Sequence, residues 1–166
     1  MTKAVHDSEL PTPGQQVITV CAVIHATEAG VPKVFMPRRS PRKKFLPGVY
    51  NLPGGHLDFG EDPVTGLKRE IHEEFGMDIS VGEPFAAFTY ANRLKGSHSI
   101  EVVYFAKFVG DIATMTMDPG DHTDFRWVGL EDIESVYTDL KGANDDEMVV
   151  VRRGLELLAG SPLKLS

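Results

Sequence analysis

Residues 55–77, GHLDFGEDPVTGLKREIHEEFGM, contain one short helix whose two ends are both marked in the sequence. Asp62 is a residue type that caps helix N-termini, and Pro63 suits the first helical position. Gly76 suits the left-handed residue that follows a helix. The sequence therefore predicts a helix from Pro63 to Phe75, and the fold must cover its apolar face.

Three glutamates are expected on one edge of this helix. At about 100° per residue, the arc that we expect to be buried contains Val64, Leu67, Ile71 and Phe75. The neighbouring arc contains Glu70, Glu73 and Glu74. Like charges at this spacing repel each other, and a divalent cation held by carboxylate oxygens, such as Mg²⁺ or Mn²⁺, would offset the repulsion. A solvated acidic face is the alternative, and the helix alone does not decide between the two.

The spacing of the charged residues and glycines in residues 55–77 resembles the signature of the Nudix hydrolases. Five residues separate Gly55 from Glu61, seven separate Glu61 from Arg69, and the later acids and Gly76 follow where the signature requires them. Every fixed position is matched over these 23 residues, which a chance match rarely achieves. The resemblance implies an α/β fold, the Nudix α/β/α sandwich with a mixed β-sheet, and the predicted element order fits it.

The resemblance also implies an activity and roles for particular residues. Nudix hydrolases typically cleave a nucleoside diphosphate linked to another group, with the help of metal ions. By this resemblance the ligands of Mg²⁺, or of Mn²⁺ as a substitute, are Glu70, Glu73 and Glu74. Glu61 would complete the metal shell, and the main chain at Gly54 would be a further metal contact. Arg69 would brace a carboxylate, and its spacing of four residues from Glu73 makes Glu73 the candidate. The general base stays open among Glu70, Glu74 and the loop that contains Asp121.

Two loops supply further candidate site residues. Arg38 and Arg39 close a predicted strand and are expected to bind substrate phosphates, whereas a solvated loop is the favoured interpretation for the basic residues at 42–44. The main chain at Gly55 is expected to approach the substrate closely. The resemblance also implies a further acidic ligand or base from a loop shortly before a strand such as 125–128. Asp121, in the loop 115–123, is the first candidate, followed by Asp124 and His122. An ordinary Asx-type turn is the alternative there.

The remaining chain predicts a scaffold of strands and helices. Residues 1–14 are expected to be a flexible lead-in, and residues 15–166 a single domain. The uninterrupted apolar run 17–26 predicts a strand buried on both faces, which pairs as a hairpin with 33–38. Further strands are predicted at 49–52, 85–93, 99–109 and 125–128. Helices are predicted at 130–136 and 144–159.

Composition limits the partners and the compartment. The formal net charge of −7 argues against binding of a DNA or RNA duplex, and no apolar run is long enough to cross a membrane. The single cysteine, Cys21, excludes an internal disulfide and is expected in the core, which favours a cytoplasmic protein.

Residues 52–61, LPGGHLDFGE, are similar to the corresponding segment of Nudix hydrolases that act on nucleoside triphosphates. The resemblance therefore implies a small nucleotide as the substrate, a nucleoside triphosphate first and ADP-ribose or a nucleotide sugar as the alternative. A non-catalytic nucleotide-binding module is a further alternative, and the resemblance makes a homodimer worth testing.

Overall fold

The computed structural model describes residues 14–163, which form six strands and two α-helices. The strands are β1 (Gln16–Glu28), β2 (Val31–Arg39), β3 (Gly54–His56), β4 (Asp78–Asn92), β5 (Ser97–Val109) and β6 (His122–Val128). The helices are α1 (Pro63–Phe75) and α2 (Asp146–Leu158), with short 3₁₀ turns at Ile112–Thr114 and Ile133–Val136. The predicted lead-in falls almost wholly on residues 1–13, which lie outside the described residues.

Strand β1 lies at the centre of one mixed sheet with the order β4-β5-β1-β2-β6. It runs parallel to β5 and antiparallel to β2, so the predicted hairpin and the mixed sheet are both confirmed. The first half of β1 pairs with β3 on the edge where its second half pairs with β2. This arrangement places β3, and the loop that leads into α1, beside the middle of the sheet.

Side chains of β1 alternate between two hydrophobic cores because successive residues of a strand point to opposite faces. Val20, Ala22 and Ile24 pack in the core that contains the apolar face of α1. Cys21 and Val23 pack in the core that contains the apolar face of α2. Each face of the sheet therefore carries one helix, which confirms the α/β/α sandwich and the core position of Cys21.

Helix α1 has the predicted bounds and caps. The Asp62 carboxylate accepts hydrogen bonds from the main-chain nitrogens of Val64 and Thr65 at 3.0 and 3.1 Å, and Gly76 ends the helix with φ 61°. The apolar arc is buried as predicted at its three later positions, whereas Val64, in the first turn, is only partly buried. Cap chemistry and periodicity agreed here, so both the bounds and the buried face of α1 follow from the sequence.

Three predicted elements differ from the structure. Residues 49–52 form only an isolated bridge between Arg38 and Tyr50, and the short strand is Gly54–His56 instead. A Cβ at Gly54 would lie 2.0 Å from the Val20 carbonyl oxygen, so only glycine permits this close pairing. Strand β4 starts at Asp78 and not at residue 85 as predicted. Register shifts on either side of Pro84 let the strand continue past this proline. The helix predicted at 130–136 is only the short 3₁₀ turn Ile133–Val136.

Candidate active site

Arg69 ties helix α1 to the loop that precedes it. Its guanidinium donates to both carboxylate oxygens of Glu61, each at 2.8 Å, and to the main-chain oxygen of His56 at 3.0 Å. It also donates to Glu70 Oε1 at 2.8 Å, whereas Glu73 lies 3.6 Å away. The hydrogen bonds to Glu61 raise the pKa of Arg69 above its usual value, and the hydrogen bond to Glu70 adds to this rise. Arg69 therefore braces Glu61 and Glu70 more closely than Glu73.

Two glycines make room for the acidic residues of this network. A Cβ at Gly55 would lie 2.4 Å from the carboxyl carbon and from one carboxyl oxygen of Glu70, which is itself buried. A Cβ on Gly66 would lie 2.3 Å from Leu57 and 2.8 Å from Glu61 Oε2. The absence of a side chain at Gly55 and Gly66 therefore leaves the room that the two carboxylates occupy, and the hydrogen bonds from Arg69 hold them there.

A cavity of about 600 Å³ opens beside the acidic edge of α1. Glu70 and Glu74 of the helix and the main chain of Gly54 and Gly55 line one part of it. Five basic side chains also line it: Arg39, Lys43, Lys44, Lys95 and Lys141. Glu61, Arg69 and Glu73 do not line the cavity. The structure thus brings two of the three predicted metal ligands of α1 into one cavity with cations that suit phosphate groups.

The two arginines predicted to bind phosphate occupy different positions. Arg39 lines the cavity and donates to the main-chain oxygens of Phe45 and Leu46 at 3.0 and 3.2 Å, which holds the basic loop 40–48 in place. Arg38 donates to the Gly48 carbonyl at 3.0 Å, lies over the Tyr50 ring, and does not line the cavity. Arg39 is therefore placed to meet a ligand, while Arg38 supports the loop.

The loop before β6 brings Asp121 to the same cavity. The Asp121 carboxylate forms an ion pair with Lys43, and its main-chain oxygen accepts from Ser40 at 2.8 Å. His122 is buried, with Nδ1 4.0 Å from an oxygen of Glu74. Burial lowers the pKa of His122 to about 4, so its ring is neutral at neutral pH. Asp124 is exposed and does not line the cavity.

The oxygen donors in the cavity have the chemistry that Mg²⁺ and Mn²⁺ prefer. The carboxylates of Glu70, Glu74 and Asp121 share the cavity with the main chain of Gly54. Within residues 14–163, however, no three acidic, histidine or cysteine side chains converge as a preassembled metal site. The donor set fits a hard divalent cation by its chemistry, and the metal ligands stay a prediction.

Aromatic side chains that the sequence offered for stacking a base also line the cavity, whereas its buried polar side chains had not been predicted. Its aromatic side chains are Phe45, Phe88 and Tyr90, and its buried polar side chains include Glu101, Lys141 and Glu147. Glu147 accepts from the main-chain nitrogen of Leu52 at 3.0 Å and forms an ion pair with Lys141. An acid at 101 within an otherwise apolar strand was the available sequence signal for these polar side chains.

Comparison with known proteins identifies the family. The model of the NUDIX domain matches residues 15–152, so this chain belongs to the Nudix family. The chain is 30% identical over 105 residues to an NAD-capped RNA hydrolase NudC of Stutzerimonas stutzeri (strain A1501). The aligned segment covers 59% of this chain and 33% of that protein. The chain is also 40% identical over 47 residues to an 8-oxo-dGTP diphosphatase of Proteus vulgaris, and this alignment covers 28% of this chain and 41% of that protein.

The chain thus spans well under two thirds of the length of these two relatives. A similar solved structure is that of a MutT protein from Methanosarcina mazei Go1, with a TM-score of 0.70 and 22% sequence identity over 91% of this chain and 100% of that one. At this identity the likeness supports the fold. Among residues 14–163, no helix combines the length and apolarity required of a membrane span.

Proposed function

We propose that this chain is a cytoplasmic, metal-dependent pyrophosphohydrolase. It cleaves a nucleoside diphosphate linked to another group, and a nucleoside triphosphate is the preferred substrate. The observation that carries the proposal is the shared cavity, in which Glu70 and Glu74 lie with basic and aromatic side chains. A volume of about 600 Å³ suits a ligand of nucleotide size. The diphosphatase activity in the name of the Proteus vulgaris relative agrees with a nucleoside triphosphate.

The residues divide the work between holding the metal and holding the substrate. The residues that would hold Mg²⁺ are Glu70, Glu74, Asp121 and the main chain of Gly54, which all line the cavity. Glu73, which lies on the same helix outside the cavity lining, is the remaining candidate ligand. When bound, the ion neutralises pyrophosphate charge and lowers the pKa of a water molecule. Arg69 keeps the Glu70 carboxylate in place through a 2.8 Å hydrogen bond, since it is itself anchored on Glu61.

Basic side chains at the cavity bind the phosphate groups of the substrate. Arg39, Lys43 and Lys44 line the cavity near its basic loop, where they neutralise phosphate oxygens. Water attacks a phosphorus atom, the bridging P–O bond breaks, and pyrophosphate or another phosphate-bearing group leaves. The proton from water passes to one of three carboxylates, those of Glu70, Glu74 and Asp121.

The test compares turnover of the wild-type chain with that of Glu74→Gln, which keeps the size of the side chain and removes its charge. Glu134→Gln is the matched control because Glu134 is exposed in the 3₁₀ turn before α2. The panel contains nucleoside triphosphates, ADP-ribose, nucleotide sugars and NAD-capped RNA, each with Mg²⁺. We expect hydrolysis of a nucleoside triphosphate, lost in Glu74→Gln and kept in the control. Equal turnover by folded Glu74→Gln would contradict the proposal.

A further inference from the structure

Strand register places a row of three side chains, two polar and one aromatic, at the cavity. Glu101 of β5 is the Cα partner of Phe88 in β4 and of Thr19 in β1, so the three side chains share one face of the sheet. This face also carries Cys21 and Val103, which pack in the core that α2 covers. The row lies beyond that core, where Thr19, Phe88 and Glu101 all line the cavity. Glu101 is thus buried and yet faces a space that a ligand can enter.

Three aromatic side chains that line the cavity, Phe45, Phe88 and Tyr90, form an aromatic wall. The rings of Phe45 and Tyr90 are nearly parallel, with centroids 6.1 Å apart and an interplanar angle of 20°. Phe88 extends the wall, with its ring centroid 6.4 Å from that of Tyr90. Phe45 belongs to the loop that Arg39 holds, so the wall adjoins the cations of the proposed phosphate site. Such a wall suits a flat heterocycle, because a ring can stack on it.

The surroundings of Glu101 favour its neutral form. Burial, followed by the negative charge of Glu147, raises the pKa of Glu101 to about 7. Hydrogen bonds from Cys21 and Thr19 and the positive charge of Lys141 oppose this rise without cancelling it. Below about pH 7 the carboxyl group of Glu101 is therefore a hydrogen-bond donor, a role that an ionised carboxylate does not have.

A buried acceptor completes the polar equipment of the cavity. Asn51 lines it and donates through its amide nitrogen to the Leu52 carbonyl at 2.8 Å. The amide oxygen of Asn51 is buried and has no hydrogen-bond partner among residues 14–163. A buried acceptor of this kind is costly unless a ligand or water donates to it. The cavity therefore offers one donor, one acceptor and a stacking surface.

We propose that Glu101 is a specificity-determining residue, which donates a hydrogen bond to a ring acceptor of the nucleobase while the base stacks beside Tyr90 and donates to Asn51. This inference rests on the proposed function for the placement of the phosphates at α1. Beyond the proposed function, it assigns to Glu101 the selection of one nucleobase over another, because bases differ in the hydrogen-bond acceptors and donors that they present. A base with a donor opposite Glu101 would leave two donors facing each other.

The test measures nucleoside binding separately from catalysis. Isotope-labelled protein is titrated with adenosine, guanosine, cytidine and uridine in EDTA, so that neither metal nor phosphate contributes, and KM and kcat are measured for the matching triphosphates with Mg²⁺. The variants are Glu101→Leu, which removes the donor, and Glu101→Gln, which is neutral at every pH. Glu83→Gln is the matched control, because Glu83 is exposed in β4.

We expect Glu101→Leu to raise the Kd of the preferred nucleoside and the KM of its triphosphate about tenfold, with kcat changed less than threefold. For the wild type, Kd should rise as the pH passes from 6 to 8.5, because Glu101 ionises, while Glu101→Gln should bind evenly over this range. Unchanged base preference in folded Glu101→Leu would overturn the inference. If that variant does not fold, equal pH dependence of the wild type and Glu101→Gln overturns it. If the wild type shows no nucleotide turnover, only the proposed function is refuted. The nucleoside titration in EDTA does not depend on turnover and still tests the role of Glu101.

Discussion

Replacing Gly55 with alanine tests whether turnover depends on the position of the Glu70 carboxylate. The new Cβ would lie 2.4 Å from that carboxylate, whereas ordinary contacts begin at 3.4 Å, so Glu70 must move by about 1 Å. Such a shift takes the 2.8 Å hydrogen bond from Arg69 beyond hydrogen-bond range. The perturbation acts on the candidate site through a neighbouring atom and leaves every charged residue in the chain unchanged.

The expected loss is larger for turnover than for stability. A misplacement of about 1 Å at a reacting site costs about 100-fold in rate, which corresponds to about 2.7 kcal/mol of barrier. The lost hydrogen bond should lower the free energy of unfolding by about 1 kcal/mol, because Arg69 stays partly exposed and its interactions are screened. Steady-state hydrolysis of the preferred triphosphate gives kcat, and urea unfolding gives the stability.

Gly142→Ala is the matched control for this experiment, because a Cβ there meets nothing within 4 Å. We expect its kcat to stay within twofold of the wild-type value, while Gly55→Ala retains about one hundredth of it. If Gly55→Ala keeps kcat within threefold of wild type in Mg²⁺ while Glu70→Gln loses turnover, the argument about the position of Glu70 is wrong.

Three further predictions concern stability. Phe35 is fully buried among four aromatic rings, so Phe35→Ala should cost about 3 to 5 kcal/mol of unfolding free energy in urea, and a cost below about 1 kcal/mol would contradict this packing. Lys141→Met leaves the buried Glu147 carboxylate without its ion pair, so a loss of about 3 to 5 kcal/mol is expected, and an unchanged Tm would refute it. Because the folded-state pKa of Glu101 is raised from 4.5 to about 7, its neutral form stabilises the fold below pH 4.5, and this stability is lost as the pH rises through 7. The difference in unfolding free energy between wild type and Glu101→Gln should therefore change by about 3 kcal/mol between pH 4.5 and 7, and a constant difference would rule out the raised pKa.

Helix α1 could be predicted from the sequence because local chemistry decides it. Asp62, Pro63 and Gly76 act on residues within one turn of themselves, and their caps form as expected. The spacing of the acids also indicated the Nudix family, which the domain match confirms. Arg69 was expected to orient Glu73, four residues on, but its closest hydrogen bonds go to Glu61, eight residues away across the loop, and Glu73 lies 3.6 Å away.

Features that depend on contacts between distant strands could not be predicted in this way. Arg38 and Arg39 are adjacent in sequence and equally basic, yet only Arg39 lines the cavity, because neighbouring strand residues point to opposite faces. Lys95 also lines it, and no local signal distinguished this lysine from any other surface residue. Glu101 lines the cavity because β5 pairs with β1 and β4, and one sequence does not reveal the register of these pairs.

The most direct test of the central claim is ³¹P NMR of the wild-type chain with its preferred nucleoside triphosphate, with Mg²⁺ and then with EDTA. The account predicts a nucleoside monophosphate and pyrophosphate with Mg²⁺, and no turnover when the ion is removed. Release of orthophosphate with a nucleoside diphosphate, or equal turnover in EDTA, would contradict a metal-dependent pyrophosphohydrolase.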